Sequence, residues 1–172
     1  VAYWSSSEGD FQQAWYQGFA EGSYWNDLKM GTLYVRPVRA FAATLAPACA
    51  DGGVCAVGDI GPGGGKVFYV HASGTFACGA TLASTCKYLE AAPTSGTAAW
   101  TDAPYAWSGN TNVAIGADAQ GTAIGTGYKN TQAMVTQSST ADRAGTIARA
   151  YRGPNNLSDW YLPSKNELNQ LY

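Results

Sequence analysis

The first 41 residues crowd aromatic side chains between turn residues more densely than any other stretch of the chain. Tyr3-Trp4, Trp15-Tyr16, Phe19, Tyr24-Trp25, Tyr34 and Phe41 are separated by Ser, Gly, Asn and Asp. Aromatic and β-branched residues suit a pleated, half-buried surface, so the segment reads as tightly packed β structure. Residues 1–4 read as a short buried strand. Residues 5–10 read as a turn whose hydroxyls satisfy backbone groups locally. In 14–19, alternation puts Trp15, Gln17 and Phe19 on one face and Tyr16 on the other. Residues 33–41 form the strongest strand, with Pro37 marking an edge or a bulge. Trp4, Trp15, Phe19 and Tyr34 are expected in the core.

Composition narrows the class. The chain has 172 residues, enough for one domain or two small ones and for a real core. Charged residues are 13%, aromatics 13%, and 21 residues are Gly. That balance favours a loop-rich fold over a helical bundle or a disordered tail. A net charge of −2 without a basic run argues against nucleic acid as a partner. No apolar run is long enough for membrane insertion, and no signal peptide is present, so any export signal lies outside these residues. The four cysteines form two close pairs, Cys49 with Cys55 and Cys78 with Cys86, each bracketing a Gly- and Ala-rich loop. Two local disulfides are the simplest reading, although four cysteines permit three connectivities, and they imply an oxidising, extracellular setting. Zinc is the rival, but the spacings are not CxxC and His71 is the only histidine.

Residues 42–56 read as a linker carrying the first Cys loop. Residues 57–70 look like a hairpin, a short strand and a second strand joined by the Gly61-Pro62-Gly63 turn. Gly63 to Lys66 faintly resembles a phosphate loop, but the GxxxxGK[ST] spacing is absent and no helix follows. Tyr88-Leu89-Glu90-Ala91-Ala92-Pro93 is a short apolar strand. Residues 94–127 form a long, weakly charged loop region carrying Trp100, Tyr105 and Trp107. Helices cluster at the end. Asn130 caps one through Gln137. Thr140 caps another, with Asp142 in its first turn and Ala144, Ile147, Ala148 and Tyr151 inward. Ser164-Lys165-Asn166-Glu167 is a capping box that opens a third, with Leu168, Leu171 and Tyr172 facing in.

Several blocks taken together resemble one family. They are Val57-Gly58-Asp59-Ile60-Gly61-Pro62-Gly63-Gly64-Gly65, Leu89-Glu90-Ala91-Ala92-Pro93, the 121–127 run, Asp159-Trp160-Tyr161-Leu162-Pro163-Ser164-Lys165-Asn166-Glu167-Leu168, Tyr3-Trp4-Ser5-Ser6-Ser7-Glu8 and Tyr34-Val35-Arg36-Pro37-Val38-Arg39-Ala40-Phe41. The chain is similar in these blocks to the C-terminal domain family of bacterial collagen-like adhesins. The resemblance implies an α+β fold of C-type-lectin-like kind, related to the formylglycine-generating-enzyme group: a loop-rich twisted antiparallel sheet with two or three short helices. The order of the blocks differs from the family, whose last third stands first here. On that reading, residues 1–41 are the C-terminal portion of a lectin-like domain, 42–56 a linker, and 57–172 the N-terminal and central portion. Circular permutation, a period cut from a tandem array and a segment swapped into a neighbouring chain all fit this order.

The resemblance also places recognition in the segment between the Tyr3 and Tyr34 blocks. The candidate ligand-binding residues are Phe11, Gln12, Gln13, Tyr16, Tyr24, Trp25, Asn26 and Asp27. Aromatics beside amides and carboxylates combine apolar area with hydrogen bonding, which suits sugar faces and protein epitopes. Arg36 and Arg39 flank Pro37 in a strand expected to be buried, and a buried Arg needs a carboxylate. Glu8 is the candidate structural partner for one of them. Asp51, Asp59, Asn110, Asn112 and Asp118 lie in loops and leave calcium open but unassigned, without EF-hand spacing. A lone His71 gives no basis for a catalytic set. The cysteines lie outside the matched blocks, so the related oxidase chemistry does not carry over. The expectation is a non-catalytic module at the cell surface or outside the cell, binding glycan or surface protein, with a self-associating fibre subunit as the alternative.

Overall fold

A computed structural model describes residues 1–172, as an α+β fold with three sheets and three short helices. The largest sheet holds β1 (Ala2–Glu8), β2 (Gln13–Gly18), β3 (Tyr24–Leu28), β4 (Thr32–Tyr34) and, from the long loop region, a strand at Pro104–Ala106. In spatial order the Pro104–Ala106 strand is followed by β4, β1, β2 and β3, so β3 is a free edge. The sheet is mixed and not wholly antiparallel as expected, because β1 and β4 run parallel through the Tyr3–Tyr34 pair. A second sheet joins β5 (Val38–Phe41), β6 (Lys66–Val70) and the strand Tyr88–Ala91, which lies central and antiparallel to both. In chain order β7 (Phe76–Cys78) and β8 (Ser84–Cys86) form a hairpin, Tyr88–Ala91 is β9 and Pro104–Ala106 is β10.

Three strand readings change. The strand at 1–4 continues to Glu8, and Ser5, Ser6, Ser7 and Glu8 are all buried instead of forming a turn. The polar side chains are satisfied by distant backbone: Ser5 donates to Trp15 C=O at 2.9 Å and Ser7 to Gly121 C=O at 2.7 Å. The expected strand at 33–41 divides into β4 and β5, which belong to different sheets. Pro37 sits in the crossing, where a residue without an N–H costs no ladder bond. The chain before the Gly-rich turn contributes only a single bridge, Ile60 to Lys66, in place of a full strand.

Helix α1 (Gly127–Gln137) starts three residues before the expected Asn130 cap. Asn130 is buried inside it and donates to Gly121 C=O at 2.6 Å. Helix α2 (Ala144–Ala150) follows Arg143, not Thr140, and Asp142 stands outside it with φ of 56°. Helix α3 (Lys165–Leu171) has the expected capping box: Ser164 Oγ accepts from Glu167 N–H and Glu167 Oε2 from Ser164 N–H at 2.8 Å. Tyr172 is exposed, and Leu168 and Leu171 carry the inward face.

The principal core gathers Trp4, Ala14, Val35, Trp100, Trp107, Met134, Ala144, Ala148, Trp160 and Leu162 between the large sheet and α1–α2. Ile147 and Tyr151 pack against it, as the helical spacing predicts. Of the four expected core aromatics, Trp4 is fully buried, Trp15 and Phe19 are half-buried and Tyr34 is exposed. Both cysteine pairs are disulfides, Cys49–Cys55 and Cys78–Cys86. No helix is long and apolar enough to cross a membrane. Residues 1–41 pair within their own chain: β4 with β10, β5 with β9, and Ser6 N–H with Pro163 C=O at 2.7 Å.

Candidate binding surface

The β2–β3 hairpin carries most of the expected binding residues, and a buried ion pair fixes its end. In β3, Trp25, Asp27 and the following Lys29 lie on one face, whereas Tyr24, Asn26 and Leu28 lie on the other. That alternation carries Lys29 into the protein, where neither it nor Glu8 has any exposed side-chain surface. Lys29 Nζ donates to Glu8 Oε1 at 2.6 Å and to Phe11 C=O at 3.1 Å, and lies 5.0 Å from the Trp107 ring centre. Glu8 also accepts from the Ile115 N–H at 2.8 Å and the Gly116 N–H at 2.7 Å. Backbone bonds complete the junction: Lys29 N–H to Gln12 C=O at 2.8 Å and Trp107 N–H to Lys29 C=O at 2.9 Å. Three loops, at 9–12, 28–31 and 108–116, therefore share one electrostatic centre. Such a pair contributes through complete satisfaction of both charges, since an unpaired buried charge is costly.

This is a correction to the expected pairing of Glu8 with Arg36 or Arg39. Arg36 instead makes a two-pronged pair with Asp102. Tyr3 also donates to Asp102, at 2.7 Å, and its phenol is pushed up to about 12 by burial and by that carboxylate. Arg39 holds Asp159 through Nε and Nη2 at 2.9 and 2.8 Å and Glu90 through Nη1 at 2.5 Å. The Gly-rich turn then wraps the same Glu90, with Gly63 N–H and Gly65 N–H donating to it at 2.8 and 3.1 Å. The faint phosphate-loop pattern is thus a cradle for an internal carboxylate.

The structure brings the expected residues together only in part. Phe11 and Trp25 are 51% and 60% exposed, and Gln12 and Asn26 are exposed beside them. Gln13, Tyr24 and Asp27 are half-buried. Tyr24 lies under Lys165, whose Nζ stands 4.9 Å from its ring centre and 3.7 Å from that of Trp15. Tyr16 turns away from ligand reach: its ring packs edge-on against Trp4 at 6.2 Å, at the margin of the core. Tyr24 and Trp25 are neighbours on opposite faces, so no ligand stacks on both at once. Sequence reasoning missed Leu28 and Met30, both exposed, and Thr111 and Asn112, which with Gln12 and Lys29 line a cleft of about 240 Å³ above the ion pair. Asn110-Thr111-Asn112 was legible as a polar loop, but its position beside residue 30 depends on Glu8 reaching Ile115.

Three of the calcium candidates have partners within the chain. Asp59 accepts from Ala56 N–H at 2.8 Å, Asp118 pairs with Lys129 at 3.2 Å, and Asn110 accepts from Asn112 N–H at 3.3 Å. No three His, Cys, Asp or Glu side chains converge in a metal-holding group. His71 Nδ1 is 2.8 Å from Tyr69 Oη, in an aromatic cluster with Phe76. The largest cleft, about 650 Å³, lies elsewhere, between α1, Thr81 and Ile115. Comparison with family models, with curated proteins and with solved structures finds no match to this chain.

Proposed function

We propose that the chain is an extracellular, non-catalytic binding module of C-type-lectin-like fold, which recognises a glycan or a surface protein in adhesion. The single observation that carries this reading is Trp25. A tryptophan 60% exposed on an edge strand, next to a hairpin end anchored by a fully buried ion pair, is a rigid apolar platform held out to solvent. Exposed aromatics on a rigid support bind with little loss of conformational entropy. The two disulfides are compatible with an oxidising compartment, and the sequence blocks shared with the adhesin C-terminal domains support the same reading. The test compares wild type, Trp25→Ala, Phe11→Ala and the remote Leu45→Ala on a glycan array and on intact cells. Binding falls at least tenfold in the first two variants and is unchanged in the third, with far-UV spectra alike in all. Equal binding by all four proteins contradicts the proposal.

A filament subunit is the second reading. The 42–56 segment, largely exposed apart from Gly52, Gly53 and Cys55, connects β5 to the rest, so opening it would let β4 and β5 pair with β10 and β9 of a neighbour. Light scattering across a hundredfold dilution distinguishes the two: a constant monomer mass counts against the filament.

A further inference from the structure

We propose that the outer edge of β3 binds an extended, basic polypeptide segment by backbone pairing, which makes the ligand of the hairpin surface a protein strand. This rests on the reading of the hairpin as the recognition surface and names its partner.

Gly18 N–H bonds Ser23 C=O at 3.0 Å, and Lys29 N–H bonds Gln12 C=O at 2.8 Å. With Tyr16 opposite Trp25 and Ala14 opposite Asp27, these bonds set the alternation along β3. Ser23, Trp25, Asp27 and Lys29 turn their backbone groups inward to β2. Tyr24, Asn26 and Leu28 turn theirs outward. The outward groups of Leu28 are taken internally, its N–H by Asp27 Oδ1 at 2.7 Å and its C=O by Gly31 N–H at 2.8 Å. Those of Tyr24 and Asn26 point away from β2 and find no backbone partner, since β3 ends the sheet. The edge therefore has a closed end at Leu28 and an open stretch of two donors and two acceptors.

The surroundings select the occupant. Asp10, Glu21 and Asp27 flank the open stretch, and none forms an ion pair within the chain. Lys165, the cation nearby, is held against the Trp15 and Tyr24 rings on the α3 side. Trp25 projects between the two open residues, where a lysine or arginine of an added strand would lie over its exposed ring. Main-chain pairing plus alternate side-chain contacts is the strand-addition mode of peptide recognition. A second copy of this chain fits less well, because edge-to-edge pairing would bring two acidic hairpins together. A glycan would use the Trp25 ring but leave the row of backbone groups unread.

The test uses an acetylated, amidated eight-residue peptide of alternating Lys and Val or Thr, titrated into the ¹⁵N-labelled protein. A version with a central Pro is the control. The expected result is movement of the Tyr24 and Asn26 amide signals and at least tenfold slower exchange of both at saturation. Binding weakens at least tenfold in Asn26→Pro, which removes an outward N–H and leaves the β2 ladder intact. It also weakens severalfold in Asp27→Lys, which keeps the proposal testable if the proline variant fails to fold. Equal affinity in both variants overturns the inference, as do shifts confined to other surfaces or no shift at 1 mM peptide. A dimer that dissociates on dilution and is lost in Asn26→Pro also overturns it, in favour of a second copy. Glycan binding that is lost in Trp25→Ala but kept in Asn26→Pro, with the peptide inert, overturns the inference while the proposed function stands. Loss of every binding signal removes both.

Discussion

Lys29 is a surface-type residue made into a core residue by its strand position. Alternation in β3 sends it inward, and its charge is tolerable only because Glu8, Phe11 C=O and the Trp107 face receive it. Lys29→Met leaves Glu8 buried with two N–H donors and no cation. The expected destabilisation is about 3–5 kcal/mol by urea denaturation, and Glu8→Gln in the same chain restores part of it. No cost in Lys29→Met would mean that the ion pair is not the anchor. Glu167 gives a pH signature. Burial outweighs its backbone donors at Ser164 and Gly125 and raises its pKa from 4.5 to about 7. The folded state then holds the proton more tightly than the unfolded one, so this contribution is complete below about 4.5 and is lost as pH rises through about 7. The effect is about 3 kcal/mol between those limits, and Glu167→Gln removes that slope from the stability profile. At this scale the need for partners was legible and their identity was not. Arg36 and Arg39 on a buried strand demanded carboxylates. Asp102, Glu90 and Asp159 lie far away in sequence, and only the topology selects them over Glu8.

Among the elements, the Gly-rich turn shows what a local pattern discloses and what it hides. Its glycines were readable as a tight turn; the reason for their number lies in β9. A Cβ at Gly63 would stand 2.6 Å from the Trp160 ring and 2.7 Å from Glu90 Oε1, so the turn closes on a carboxylate and an indole at once. Gly63→Ala should cost about 1–3 kcal/mol, as overpacking does. Gly58→Ala makes a contrast, because nothing lies within 4 Å of that Cβ and only its φ of 95° opposes it. Equal thermal shifts for both would show that packing around Glu90 is not the constraint. The start of helix α3 was legible because a capping box is a local device. The start of α1 was not, since Asn130 bonds to Gly121 and Ser6 and caps nothing. The serines of β1 misled for the same reason: three hydroxyls in a row look like a turn until distant carbonyls are supplied.

For the whole molecule, the order of segments is less consequential than their contacts. Val1 C=O accepts from Phe19 N–H at 2.8 Å, and the Tyr172 ring lies 5.6 Å from that of Phe19. Residues 1 and 172 thus meet at one residue, Phe19, while Leu45 between β5 and β6 is fully exposed. A chain joined from Tyr172 to Val1 by a short Gly-Ser linker and reopened beside Leu45 should keep the same far-UV spectrum and melt cooperatively. A molten product would show that the present order directs folding. The loop-rich character and both disulfides were legible from composition and spacing. The mixed sheet was not, because the β1–β4 pair depends on a chain reversal across 9–31 that no short pattern encodes. Where a ligand touches decides between the hairpin surface and the larger cleft. Hydrogen–deuterium exchange of the free protein and of the protein on its bound glycan or protein ligand measures this directly. The prediction is new protection confined to 10–13, 24–31 and 108–116; protection confined to α1 and the β7–β8 hairpin, around the larger cleft, would contradict it.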